Sequence, residues 1–165
     1  MSFSLIPDLT IPDIFSLTPE LLRQKGITLL LLDLDNTLAT YGEPTPSDTV
    51  LTWMNAYREA GIALYLISNT TNEKRAESYA RAWDIPFIFR ARKPSTRGIR
   101  AILADMEQKP EETALAGDQI FTDVLAANRA GIFSIVTRPL HMGLFFRLRY
   151  LIERPFRYMS KEKRV

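Results

Sequence analysis

Four consecutive leucines, Leu29 to Leu32, run without a polar residue into two carboxylates, Asp33 and Asp35, with only Leu34 between them. Such a run has no polar face. Bounded by Gly26 and Gly42, it reads as a strand buried on both faces of a sheet. Unpaired charge at a buried strand end is costly, whereas chemistry in α/β enzymes gathers at the carboxyl ends of parallel strands. Two readings follow. Asp33 and Asp35 are a working pair, or they belong to a polar strand end turning through Asn36 and Thr37, residue types that turns favour.

The rest of the chain repeats the strand-then-helix pattern. Thr18-Pro19-Glu20 is a helix start, with Gly26 as the stop before a strand at Thr28–Leu34. Tyr41 to Pro46 is loop, and Ser47 caps a helix whose stripe is Val50, Trp53, Met54 and Tyr57. Ile62–Ile67 is a second buried strand, ending in Ser68-Asn69-Thr70-Thr71. A helix with Ala76, Tyr79, Ala80 and Trp83 on one face leads to a short strand at Pro86–Phe89. Pro94 starts a helix carrying Ile99, Ile102, Leu103 and Met106. Thr113–Ala116 is a fourth strand, followed by Gly117-Asp118-Gln119 and a helix from about Phe121 to Ala130. Ile132–Val136 is the fifth. The four aromatics Trp53, Tyr57, Tyr79 and Trp83 are expected to pack in the core. This alternation predicts an α/β fold with a five-stranded parallel sheet and right-handed crossovers. One domain is expected over residues 1–165, with its core at 26–137. Residues 1–17 form an ordered arm, and 138–165 a basic, aromatic C-terminal segment.

Composition removes several chemistries. The 165 residues include no cysteine and one histidine, His141, which excludes thiolate sites and disfavours a Ser-His-Asp triad. No apolar run approaches the roughly 20 residues that span a bilayer, and residues 1–10 lack the basic start of a signal peptide. Residues 138–165 hold eight basic and two acidic residues, so the net charge of +2 hides a tail of +6. A basic tail fits an anionic surface.

Polar groups stand at four strand ends: Asp33 with Asp35, Ser68 with Asn69, Lys93, and Asp118 with Asp123. In a parallel sheet these ends share one edge. Carboxylates without His or Cys make an all-oxygen site suited to Mg²⁺, and a lysine and a hydroxyl beside it suit a phosphoryl group. A carboxylate can attack phosphorus, and a second can transfer protons.

Asp33-Leu34-Asp35-Asn36-Thr37, Ser68, Lys93-Pro94, and Gly117-Asp118 with Asp123 resemble, in order, the four motifs of the haloacid dehalogenase (HAD) superfamily. The resemblance spans about Gly26 to Val136 and implies a HAD-like Rossmannoid fold. It implies Asp33 as nucleophile and Asp35 as general acid/base. Mg²⁺ would be held by Asp33, the carbonyl of Asp35, and Asp118, with Asp123 supporting. Ser68 would hydrogen-bond the phosphoryl group, Lys93 would neutralise it, and Asn36 and Asn69 would lend backbone amides. Other readings stay open beside these: Asp118 and Asp123 as helix-start residues, Ser68 as a cap, and Lys93 as a solvated loop lysine.

Neither interval between motifs has room for a cap domain, so a capless enzyme is expected, suited to phosphate on a large or membrane-borne substrate. Leu144 to Ile152 mixes large apolar residues with arginines, and Phe156 and Tyr158 follow. This is either a membrane-surface element or a final helix packed on the domain with its arginines outward. The layout, with Gly117-Asp118-Gln119-x-x-Thr122-Asp123 and a final Ile152-Glu153-Arg154, resembles the YqeG-like branch of subfamily IIIA. That resemblance implies hydrolysis of phosphatidylglycerophosphate to phosphatidylglycerol by a cytoplasmic enzyme, peripheral at the inner face of the membrane. No specific nucleic-acid binding is expected. A phosphoprotein or nucleic-acid end phosphatase, or a non-catalytic scaffold, are the alternatives.

Overall fold

Strand β2 (Leu29–Leu32) lies at the centre of a parallel sheet, and all four of its leucines are fully buried. The computed structural model describes residues 3–41, 43 and 45–162. Gly42 and Pro44, expected in a loop, and the side chains of Phe145 and Phe146 lie outside the described set. In chain order the other elements are β1 (Leu9–Thr10), α1 (Pro19–Gln24), α2 (Asp48–Glu59), β3 (Ala63–Ile67), α3 (Glu73–Trp83), β4 (Phe87–Ile88), α4 (Arg97–Asp105), β5 (Thr113–Gly117), α5 (Leu125–Ala130), β6 (Phe133–Val136) and α6 (Leu144–Tyr158).

Among the described residues the sheet has six strands in the order β1-β6-β5-β2-β3-β4, every pair parallel. Five were expected. The sixth, β1, comes from the N-terminal arm and pairs with β6, Leu9 opposite Ile135. Two residues between Pro7 and Pro12 carry no periodicity. What fixes β1 is a side chain: Ser134 donates to Asp8 Oδ2 from its amide and its hydroxyl, both at 2.8 Å. The residues just before β1 are bonded in turn to the C-terminal segment. The amides of Lys161 and Glu162 donate to the carbonyls of Pro7 and Asp8 at 3.1 and 3.0 Å.

Leu30 and Leu32 point to one side of β2, among Leu22, Met54, Tyr57, Tyr79 and Trp83. Leu29 and Leu31 point to the other, among Ile99, Ile102, Ala126 and Ala127. The run is continuous because helices cover both faces. Tyr57, Tyr79 and Trp83 are buried as expected, and Trp53 is half-buried with its indole donating to the Leu17 carbonyl. Among the described residues one helix, α2, separates β2 from β3, and one, α3, separates β3 from β4, with no cap domain at either place.

Two elements near the expected site differ from their sequence reading. The helix expected from Pro94 begins at Arg97, after a turn closed by the Ser95 amide on the Arg92 carbonyl. The helix expected from Phe121 begins instead as a π-helical turn, Ile120–Val124, and becomes α-helical only at α5. The wider turn carries Asp123, and π-turns recur where a side chain is aimed for function.

The C-terminal segment forms a helix, α6, that contains Pro155. It packs on the domain, as one reading expected, with Arg147 and Arg154 outward but Arg149 and Arg157 turned in. Glu153 and Arg157 are buried, and Arg149 reaches Asp118. Phe156 packs beside Ile120, Val124 and Val136. The outward arc also carries a stripe of apolar residues: Leu144, Leu148, Leu151 and Ile152 are 87%, 61%, 59% and 57% exposed. Among the described residues, no helix is long and apolar enough to cross a membrane.

Candidate active site

Asp33 takes the last rung of β2, its amide donating to the Ala116 carbonyl at 3.0 Å. Its side chain is held at both oxygens. Thr37 donates to Oδ2 at 3.0 Å, and the Lys93 ammonium sits 2.6 Å from Oδ1. That ammonium also lies 2.7 Å from Asp123 Oδ1 and donates to the Ile67 carbonyl at 2.9 Å. Lys93 is thus not a solvated loop lysine; it is buried between two carboxylates.

Sequence explains each placement. Asn69 clamps the Lys93 backbone from both sides, accepting from its amide at 2.7 Å and donating to its carbonyl at 3.0 Å. Asp123 is aimed by the π-turn and held by the Gln119 amide at 3.0 Å. Gly117 makes the approach possible, because a Cβ there would overlap the Asp123 carboxyl. Asn36 adopts φ 67°, a left-handed conformation that asparagine tolerates. Its amide donates to Ala39, and its side chain exchanges two hydrogen bonds with the backbone of His141. Asn36 therefore ties the loop after β2 to the segment leading into α6, and its amide is occupied.

The electrostatics follow from burial. Burial pushes the Asp33 carboxyl up to about 7, with Lys93 opposing and Asp123 and Asp35 adding to the rise. Burial, then Asp33 and Asp123, hold Asp118 well above the carboxylate range, against the pull of Arg149. Burial works to lower Lys93, but Asp123 and Asp33 outweigh it and keep the ammonium charged.

Asp33, Asp118 and Asp123 bring carboxylate oxygens within 4.8 Å of one another. Asp118 Oδ1 is buried without a hydrogen-bond partner. Three hard oxygen donors with one unsatisfied oxygen fit a divalent cation such as Mg²⁺.

Asp33, Asp35, Asn69 and Lys93 line a cavity of about 400 Å³. Ser68, Asp118 and Asp123 are buried and are not on its wall. Ser68 Oγ accepts from the Thr70 amide at 3.0 Å and reaches Asp35 Oδ2 at 3.5 Å. Asp35 also pairs with Arg75, Nη1 to Oδ1 at 2.5 Å. Arg75 and Tyr41 line the same cavity, and no motif marks either. The usable signal for Arg75 was position. It stands in the first turn of a helix that starts just after the β3 strand end, on the same edge as the aspartates. Gln119 and Thr122 also line the cavity.

A family model described as mitochondrial PGP phosphatase matches residues 2–140. The chain is 35% identical over 161 residues to the probable phosphatase YqeG of Bacillus subtilis (strain 168), covering 96% of this chain and 92% of that protein. A crystal structure described as a putative HAD family hydrolase from Streptomyces avermitilis MA-4680 superposes with a TM-score of 0.59 at 16% identity, over 88% of this chain and 76% of the other. The 3-deoxy-D-manno-octulosonate 8-phosphate phosphatase of Moraxella catarrhalis, solved with magnesium ion, phosphate ion and KDO, gives 0.54 at 17% identity, over 82% and 91%. These two likenesses show a shared fold.

Proposed function

Because the chain belongs to the mitochondrial PGP phosphatase family, among the phosphatases of the HAD superfamily, we propose that it removes the terminal phosphate of phosphatidylglycerophosphate. Asp33 is the nucleophile. The observation that carries this is the Asp33 carboxylate, fixed by Thr37 and Lys93 at an open cavity that also holds Asp35.

In the proposed cycle an Asp33 oxygen attacks phosphorus, and the bond to the glycerol oxygen breaks. The leaving oxygen takes a proton from Asp35. Water then attacks the aspartyl-phosphate, giving its proton to Asp35, and inorganic phosphate leaves with Asp33 restored. Lys93 stays charged throughout and offsets the negative charge brought by the phosphoryl group. Ser68 and Asn69 serve this arrangement from behind, Ser68 beside Asp35 and Asn69 through the Lys93 backbone. Asp33 and Asp118, with Asp123 supporting, would hold Mg²⁺, which neutralises phosphoryl oxygens when bound. The Moraxella structure was solved with magnesium and phosphate ions, which supports that choice of metal.

The proposed setting is an anionic membrane surface on the cytoplasmic side. The outward stripe of α6, Leu144 to Ile152, is flanked by exposed Arg147 and Arg154. Apolar insertion framed by cations is how a peripheral helix holds such a surface. The same helix carries Arg149 to Asp118, which ties α6 to the candidate site.

The test is phosphate release from lipid, protein, nucleotide and sugar monophosphates, with Mg²⁺ and with EDTA. Turnover of vesicle-borne phosphatidylglycerophosphate above the others, abolished by EDTA, is expected. Preference for a phosphopeptide would replace the lipid reading, and unchanged turnover in EDTA would remove the metal.

A further inference from the structure

We propose that Arg75 forms a subsite for a second phosphate, one carried by the leaving group of the substrate. The inference rests on the acid/base role given to Asp35 above.

Arg75 stands in the first turn of α3 with its side chain 13% exposed. Its Nη1 meets Asp35 Oδ1 at 2.5 Å, and its Nη2 donates to the Thr40 carbonyl at 2.9 Å. The guanidinium lies 5.0 Å from the centre of the Tyr79 ring, and Nε is buried without a hydrogen-bond partner. The fork is therefore fixed in place, with Nε unused.

A group that exchanges a proton with the leaving oxygen must touch that oxygen. Whatever is bonded to Asp35 therefore stands on the leaving-group side of the scissile bond. In the free enzyme Arg75 occupies that place. As the leaving oxygen reaches Asp35, the ion pair must loosen, and a guanidinium this enclosed needs another anion. A plain alcohol as leaving group supplies none. A leaving group with its own phosphate, one short linker away, does. Arginine suits the task, since its planar fork matches two phosphate oxygens at once. Thr70 and Thr71 line the same cavity beside Arg75, adding hydroxyl donors. Substrate selection would then come from an exchange of partners: Asp35 gives up Arg75 only when a second phosphate takes it.

The chemistry is a phosphomonoester linked through glycerol to a phosphodiester, either in a lipid or as the soluble headgroup. The experiment measures kcat and KM on three substrates: glycerol 3-phosphate, deacylated phosphatidylglycerophosphate, and the intact lipid in vesicles. Wild type, Arg75→Lys and Arg75→Gln are compared, with thermal melts to establish folding. Wild type should prefer the deacylated headgroup to glycerol 3-phosphate. Arg75→Gln should lower kcat/KM on the headgroup by roughly tenfold to hundredfold, the range of a lost charge-assisted hydrogen bond, chiefly through KM. The loss on glycerol 3-phosphate should be much smaller, and Arg75→Lys should keep part of the preference. An equal fall on both soluble substrates, through kcat, makes Arg75 a positioning residue for Asp35 and overturns the subsite. So does a wild type without preference between them, or a loss confined to vesicles. A wild type that hydrolyses phosphopeptides and no glycerol-linked phosphate is a different failure, that of the proposed function itself.

Discussion

Lys93 and Asp123 face each other at 2.7 Å, both almost wholly buried, while the same ammonium holds Asp33 at 2.6 Å. The lysine thus has two anions to balance. Replacing it with methionine leaves two buried carboxylates without their cation. Lys93→Met should lose about 3–5 kcal/mol, the cost of breaking a buried pair by removing one partner, along with activity. Adding Asp123→Asn should restore part of the stability but not the turnover, as urea unfolding and phosphate release can show. Wild-type stability in Lys93→Met would mean the triad is not closed in solution.

Asp33→Asn should abolish turnover with the fold intact, since the amide keeps the shape but cannot form the acyl-phosphate. Asp35→Asn should reduce kcat by roughly 10²–10⁴-fold, the usual worth of positioned proton transfer. Full activity of purified Asp33→Asn would end the covalent mechanism.

Gly117→Ala tests a packing constraint. The added methyl collides with the Asp123 carboxyl, so that side chain must leave Lys93. A destabilisation of about 1–3 kcal/mol is expected for overpacking, together with a raised requirement for Mg²⁺. A variant with wild-type melting and metal dependence would show that Asp123 can sit elsewhere at no cost.

The metal-free protein should weaken as pH rises. Folded Asp33 titrates at about 7 against an ordinary 3.8. Between those values the folded state keeps a proton that the unfolded state has released, so stability falls with pH across that window and levels off above it. Asp118 acts in the same direction. In EDTA the melting temperature of wild type, relative to Asp33→Asn, should drop from pH 5 to pH 7.5, and Mg²⁺ should reverse the drop. A rise over that interval in EDTA would contradict the burial-driven shift.

The sequence exposed the strands that bear chemistry because their ends are abrupt. Leu29–Leu32 passes straight into Asp33, and Ile67 into Ser68. It hid what depends on partners far along the chain. β1 is two residues long and depends on Asp8 meeting Ser134. Arg75 looks like any arginine on an amphipathic helix until Asp35 is placed beside it. α6 misleads through its charges, because Arg149, Glu153 and Arg157 point inward. Helical spacing shows which residues share an arc but not which arc faces the domain.

That orientation changes which substitutions probe membrane binding. Arg149 and Arg157 are structural, so the informative variants are Arg147→Gln with Arg154→Gln, and Leu148→Gln with Ile152→Gln. Each basic residue near an anionic bilayer is worth about 1 kcal/mol. Both pairs should reduce sedimentation with anionic vesicles, the arginine pair more strongly at low salt, while activity on a soluble ester falls far less. Equal losses on vesicle and soluble substrates would make the outward stripe part of the folded core's support.

The hydrogen bonds from Lys161 and Glu162 to Pro7 and Asp8 bear on how the protein behaves when crowded. An unpaired strand edge is a template on which another chain can add, and growth by such addition leads to aggregates. Here the residues just before β1 are bonded to the polypeptide's own tail through the carbonyls of Pro7 and Asp8. At the opposite edge, β4 spans only Phe87–Ile88 and is followed by Arg90 and Arg92. One border is two residues long and tied beside the chain's own tail, and the other is as short and followed by charge, so neither offers a long free edge on which another chain could add.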